Sequence, residues 1–293
     1  MPVALRACVW SLALVAASGC RLVEPQSAGK SPLAPITVSP ETITLEVFSA
    51  PAPRGDPQFA ELWELVDEQP LPAELRRRLA ANGMRAGLLG PNVPGALAAV
   101  LKVTDRRIED EQRQLVPMDP EGGVTLRVLH VRAGKRTELA IPRVREEMSL
   151  LEAIDGGVHG GTYRKAECRM ALRAFPETDR RVRLELTPEV HYGEFKSRTR
   201  GSDGVFIQTQ QREKKVFDEL KLEPALAAGQ MLLITCRPDR SGTAGWHFFT
   251  DTTAHKPVAM LWVLRVARAA PDRAFYDGPP KDEPGPVSND QDD

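Results

Sequence analysis

AECRMALRA, residues 166–174, and VRLEL, residues 182–186, are the stretches that decide the fold. In the first, Ala166, Cys168, Met170, Leu172 and Ala174 alternate with mostly charged neighbours. In the second, Val182, Leu184 and Leu186 alternate with Arg181, Arg183 and Glu185. Successive side chains of a strand point to opposite faces, so a period of two gives each segment one dry and one wet face. That pattern belongs to antiparallel strands packed on one side only. Residues 176–180 supply the turn between them, and the pair is a hairpin.

Toward the C-terminus, further strands are predicted at 205–213, 215–222, 230–237, 245–250 and 258–267. The last is apolar in both phases, which makes it a central strand covered on both sides. Toward the N-terminus, 124–131 and 136–141 flank Gly134 as a second hairpin. Residues 146–154 are expected to form one or two turns of helix.

Before residue 115 the periodicity changes. TITLEVF, residues 42–48, alternates and is rich in β-branched residues, as a strand should be. Asp56 before Pro57 is a helix start, and Phe59, Leu62, Trp63 and Val66 then fall at i, i+3, i+4 and i+7. Leu71-Pro72 opens a second helix with Leu75 and Leu79 inward, ended by Asn82-Gly83. A strand at 84–89 and a third helix carrying Leu97, Val100 and Leu101 follow. Charged residues at 105–113, then Pro117, Pro120 and Gly122-Gly123, mark a boundary. The predicted class is α+β: a small β-α-α-β-α N-terminal unit over 41–115, followed by a mainly antiparallel β domain over 123–270.

The first twenty residues fix an address. Arg6, an apolar run over 8–17 and the small residues Ser18-Gly19 lead into Cys20. Such a run is a secretory signal, too short for a lasting membrane helix. The small residues ending at a cysteine resemble the bacterial lipoprotein processing site. That resemblance implies a signal peptide over 1–19 and a lipid-bearing Cys20. The Pro-, Ser- and Ala-rich stretch 20–40 is then a tether, and the protein is lipid-anchored outside the cytoplasm, on the periplasmic side or in the outer membrane. The membrane is then a partner through its anchor. Residues 271–293, rich in proline and acid, are expected to be a disordered tail.

Net charge is −1, with 42% hydrophobic and 27% charged residues, so no global field favours nucleic acid. With Cys8 removed and Cys20 lipidated, Cys168 and Cys236 remain. Two readings stay open: a disulfide, contributing ~4 kcal/mol in the chain-entropy picture, or two buried thiols on apolar strand faces.

Signatures of chemistry are sparse. Gly29-Lys30-Ser31 resembles the end of a phosphate loop, but Glu24 stands where the earlier glycine belongs. His130, His159, His191, His247 and His255 lie in no His-Glu-x-x-His arrangement, and neither Cys-x-x-Cys nor Gly-x-Ser-x-Gly occurs. The glycine-rich stretch 155–162 around His159 offers an anion cradle or a flexible loop before a strand, and the loop is the reading taken. Lys196, Arg198, Arg200, Arg212, Lys214 and Lys215 make a charged hairpin in preference to a phosphate grip. Trp246, Phe248, Phe249 and Trp262 either line a pocket or pack as core, and core is preferred. No catalytic residue, cofactor or metal site is predicted.

Residues 182–237 carry an order of features that resembles the β-domain of bacterial secretins, the outer-membrane ring proteins of type II and III secretion and pilus systems. Val182-Arg183-Leu184-Glu185-Leu186-Thr187-Pro188-Glu189-Val190 is similar to the family's strand ending in Pro-Glu-Val. Gln210-Gln211-Arg212-Glu213 falls where the family often has an arginine before a β-run. Leu226-Ala227-Ala228-Gly229-Gln230-Met231-Leu232-Leu233-Ile234 is similar to its Gly-Gln strand, although Thr235-Cys236 then replaces the usual Gly-Gly. The resemblance implies an envelope scaffold or secretion-associated part, with secretion-system proteins or further copies as partners. Membrane barrels need strands of about 9–11 residues with an apolar outward band. Several of the strands read here are shorter, and their outward faces are charged, so the module is expected to stay out of the bilayer. The function expected is non-enzymatic binding or assembly. Its alternatives are a ligand-binding lipoprotein with a pocket near Trp246 and Trp262, and an exported hydrolase using His159 or His247.

Overall fold

In the first segment, β1 (Thr42–Pro51) sends Ile43, Leu45 and Val47 to one buried face. The computed structural model describes residues 42–52, 55–101, 123–202, 205–252 and 257–269, with backbone alone at 142–143, 198–202 and 205–209. The leader, Cys20, the tether, the 116–122 boundary, His255 and the 271–293 tail lie outside the described residues. Helix α1 (Pro57–Leu65) starts where proline and aspartate dictate: Asp56 accepts the Gln58 N–H at 2.9 Å. It buries Leu62 and Trp63. Helix α2 (Ala73–Ala81) buries Leu75 and Leu79 and gives way to Gly83 at φ +72°. β2 (Met84–Leu89) and α3 (Gly95–Val100) complete the segment.

The remaining strands are β3 (Thr125–Arg132), β4 (Thr137–Ile154), β5 (Gly157–Pro176), β6 (Val182–Ser202), β7 (Val205–Val216), β8 (Ala225–Leu226), β9 (Met231–Cys236), β10 (Thr250–Asp251) and β11 (Val258–Arg268). Helix α4 (Ala244–Phe249) lies between β9 and β10. The named strands pair antiparallel throughout, and the molecule is mostly antiparallel β. Among the described residues no helix is long and apolar enough to cross a membrane.

One sheet runs β2-β9-β11-β1-β3, with β10 beside β11; the other runs β4-β5-β6-β7, with β8 on β6. This corrects the division at 115. β1 is bonded to β11 and β3, and β2 to β9, so among the described residues the segment 41–115 has no sheet of its own. The reason is that β1 and β2 are not neighbours, and each needs the later strands to satisfy its backbone.

β11 is central, as its two apolar phases require. Leu261 and Val263 join Leu62, Trp63 and Leu97 in a core under α1 and α3. Trp262, Leu264 and Val266 join Cys168, Met170, Leu172, Leu184 and Leu186 in a core between the sheets. Three layers result, helices on sheet on sheet.

Several local expectations are overturned. Residues 124–131 and 136–141 do not pair: β3 pairs with β1 and β4 with β5, so the chain changes sheet at 133–136, where Gly134 has φ +70° and bonds Ala174 O at 2.9 Å. Residues 146–154 are strand, because Met148 and Leu150 face the core while Glu147, Ser149 and Leu151 are exposed. The glycine-rich stretch is no loop: Asp155 (φ +49°) and Gly156 (φ +80°) make a two-residue turn, and Gly157 and Gly161 pair with Ile154 and Leu150. Residues 245–250 are mostly helix, in which Ala244 and Phe248, then Gly245 and Phe249, recur four apart and are buried. The strand predicted at 215–222 ends at Val216 and gives a 3₁₀ turn over Asp218–Leu220.

Candidate functional site

The second sheet holds the features most able to do something. Its strands β4, β5, β6 and β7 have 18, 20, 21 and 12 residues. β5 and β6 pair only from Glu167–His191 to Pro176–Val182. Beyond that the sheet forks: β5 continues with β4 to the turn at Asp155-Gly156, and β6 continues with β7 to Ser202–Val205. Sequence patterning missed this length because, past the fork, β5 has no buried residue over 157–165 and β4 keeps a dry phase only at Met148 and Leu150. The fork is bridged by the Lys165–Glu194 ion pair and by Tyr163 edge-on to Tyr192 at 4.9 Å. Lys215 of β7 reaches Glu152 of β4 at 3.0 Å, so the two outer strands meet across a curled sheet. Burial pushes the Tyr163 hydroxyl up despite Lys215 nearby.

Glu189 lies on the wet phase of β6 and is 1% exposed. Arg136 grips it bidentately at 2.9 and 2.7 Å, His191 Nε2 sits at 2.9 Å and Lys214 Nζ at 3.2 Å. Burial pushes the carboxyl up. The hydrogen bonds from Arg136, His191 and Lys214 and the Arg136 charge outweigh it and hold the group down at about 2. Arg136 also bonds Glu138 at 2.9 Å, and Arg169 ties Glu138 (2.7 Å) to Glu167 (2.9 Å). Ligand atoms of Glu138, Glu189 and His191 lie within 4.8 Å of one another. The donor set nevertheless suits no cation, because all four carboxylate oxygens already accept from arginine or lysine. This is an ionic clamp across four strands.

Over residues 149–153 the outer edge of β4 is closed without a strand. The Asn82 side chain, itself 1% exposed, accepts the Ala153 N–H at 2.8 Å and donates to Ala153 O at 3.0 Å. Gly242 O accepts from Leu151 N at 2.8 Å, and His247 Nε2 lies 2.9 Å from Ser149 O. Burial pushes the His247 imidazole down. β7 pairs only with β6 among the described residues, so that side is an open edge. Exposed apolar side chains gather on the same sheet, notably Val158 (70%) and Phe195 (63%).

The residues singled out in sequence separate. Cys168 and Cys236 are both free and buried, which corrects the disulfide alternative. Each thiol is engaged where it stands: Arg145 Nη1 lies 3.5 Å from Cys168 Sγ, and Cys236 Sγ donates to Phe249 O at 3.1 Å. Burial pushes the Cys168 thiol to about 11 despite Arg145. Phe248, Phe249 and Trp262 are core, with Phe249 edge-on to Trp262 at 5.4 Å, while half-buried Trp246 borders a small cavity of 150 Å³. His159 is exposed on the β5 ribbon. His247 meets a backbone carbonyl of Ser149 and not its hydroxyl. Lys196, Arg212, Lys214 and Lys215 pair with Glu213, Glu167, Glu189 and Glu152 across strands.

Comparison with known proteins found nothing: no family model, no curated protein and no solved structure matches the chain.

Proposed function

We propose that this chain is a non-enzymatic, lipid-anchored envelope protein that acts by assembly, with itself or with a secretion-associated partner, along β7. One observation carries the reading: of the two outer strands of the long-stranded sheet, β4 is closed over 149–153 by Asn82, Gly242 and His247, whereas among the described residues β7 pairs only with β6. An unpaired strand edge beside exposed Phe195 is a template for another chain. The leader and the secretin-like order of features in 182–237 support an envelope setting. Strand length no longer argues against crossing a bilayer, but charged Lys165, Glu194, Lys196 and Glu213 on the ribbons do. The module therefore works outside the hydrocarbon.

The test is light scattering and cross-linking of the full-length protein purified from bacterial membranes, with mass spectrometry of its N-terminus. Discrete oligomers that Phe195→Lys reduces to monomers, on a chain acylated at Cys20, are expected. A monomer at every concentration, with no partner cross-linked in native membranes, overturns assembly. An unmodified thiol at Cys20 overturns the anchor.

A further inference from the structure

A cavity lies away from the second sheet, beside β2, the edge strand of the first. It holds about 440 Å³ and is walled by Phe59, Trp63, Arg76, Arg85, Ala86 and Arg237. Part of that strand edge is already covered. Asp67 N bonds Leu88 O at 2.9 Å, and Leu88 N bonds Asp67 O at 2.7 Å, so Asp67 sits beside β2 like one residue of an added strand. Gly87 makes the approach feasible, since a Cβ there would lie 2.4 Å from Val66 Cγ1.

In an antiparallel pair, alternate residues turn both N–H and C=O toward the same side. Leu88 turns outward to Asp67. Ala86, two residues and about 7 Å along, therefore turns outward as well, into the cavity wall. The strand-like cover thus stops where the cavity begins.

The charges around this backbone are unbalanced. Arg85 lies over the Trp63 ring at 4.3 Å and pairs with Glu68. Arg237 shares Asp239 with Arg240. Arg76 donates to the Gln69 amide oxygen at 3.3 Å and has no carboxylate partner among the described residues. Its Nε is buried without a hydrogen-bond partner, as is Trp63 Nε1, although Trp63 is only 7% exposed. Three arginines thus face Glu68 and Asp239 alone in the wall. A guanidinium with no carboxylate of its own is suited to a carboxylate from outside.

We infer that this groove binds an extended, acidic peptide segment of a partner protein, added to β2 next to Asp67, with a glutamate or aspartate held by Arg76 and an apolar neighbour on Trp63. Backbone pairing at Ala86 supplies affinity, and the arginines select for acid. The site is independent of β7 and of any assembly there.

The probe is a fluorescein-labelled peptide of alternating valine and glutamate, ten residues long, titrated into the full-length protein and followed by anisotropy. Saturable binding is expected, weakened about tenfold by Arg76→Gln and by Arg237→Gln, with unchanged circular dichroism. The lysine analogue of the peptide should not bind. N-methylation of alternate peptide amides tests strand addition without touching the protein, and in one of the two registers it should abolish binding. Equal binding of both methylated registers, or no saturation by the acidic probe, overturns the inference. So does displacement of the probe by a peptide of residues 271–293 at matching concentration, which would assign the groove to the chain's own acidic end.

Discussion

Glu189 shows how far one side chain can depart from what its neighbours in sequence suggest. Within Pro188-Glu189-Val190 it is a wet-phase strand residue, and nothing local marks it for burial. Its environment is made by Arg136, 53 residues earlier, placed at the point where the chain crosses between sheets. Since its folded-state pKa of about 2 lies below the ordinary 4.5, its stabilisation is complete above about pH 4.5. That contribution is lost as pH falls through 2. Glu189→Gln should lower stability at pH 7 by roughly 3 kcal/mol, measured by urea denaturation. The variant should also lose less stability than the parent between pH 4.5 and 3; an unchanged pH profile would show that the clamp is energetically idle. By contrast, the Asp56 cap and the Gly83 stop were readable, because each acts within two or three residues of itself.

At the scale of elements, legibility followed the dry face. β5 over 166–174 and β6 over 182–190 announce themselves, since one phase is buried against the first sheet. β4 was misread because Glu146-Glu147 and Leu150-Leu151 blur a period of two that Met148 and Leu150 do carry. Its edge is stabilised by a side-chain amide standing in for a strand, a device that no pattern of polarity reveals. Asn82→Ala removes the acceptor for Ala153 N and the donor to Ala153 O and Arg78 O. The expected cost is about 2–3 kcal/mol, with amide exchange at Ala153 faster than that at Met148. Uniform acceleration across β4 would instead mean that the whole strand depends on Asn82.

For the molecule as a whole, element order was legible and element partnership was not. The β-α-α-β-α order over 42–101 appears where the sequence places it, yet β1 and β2 are completed by β11 and β9. Hydrophobic period identifies a strand; it carries no address for the partner, which depends on which edges remain unsatisfied when the layers close. The 157–165 end of β5 was invisible for the related reason that none of its residues is buried.

That interleaving has a further consequence. β1, made early, is held between β3 and β11, both made after residue 123, and β2 depends on β9. Severing the backbone anywhere between 102 and 122 should therefore not yield two independent halves. A protease site engineered there should give fragments that co-elute after cleavage and part only in denaturant, and the two pieces, expressed separately, should reconstitute when mixed. Recovery of a folded, solitary 123–293 piece would contradict this mutual dependence.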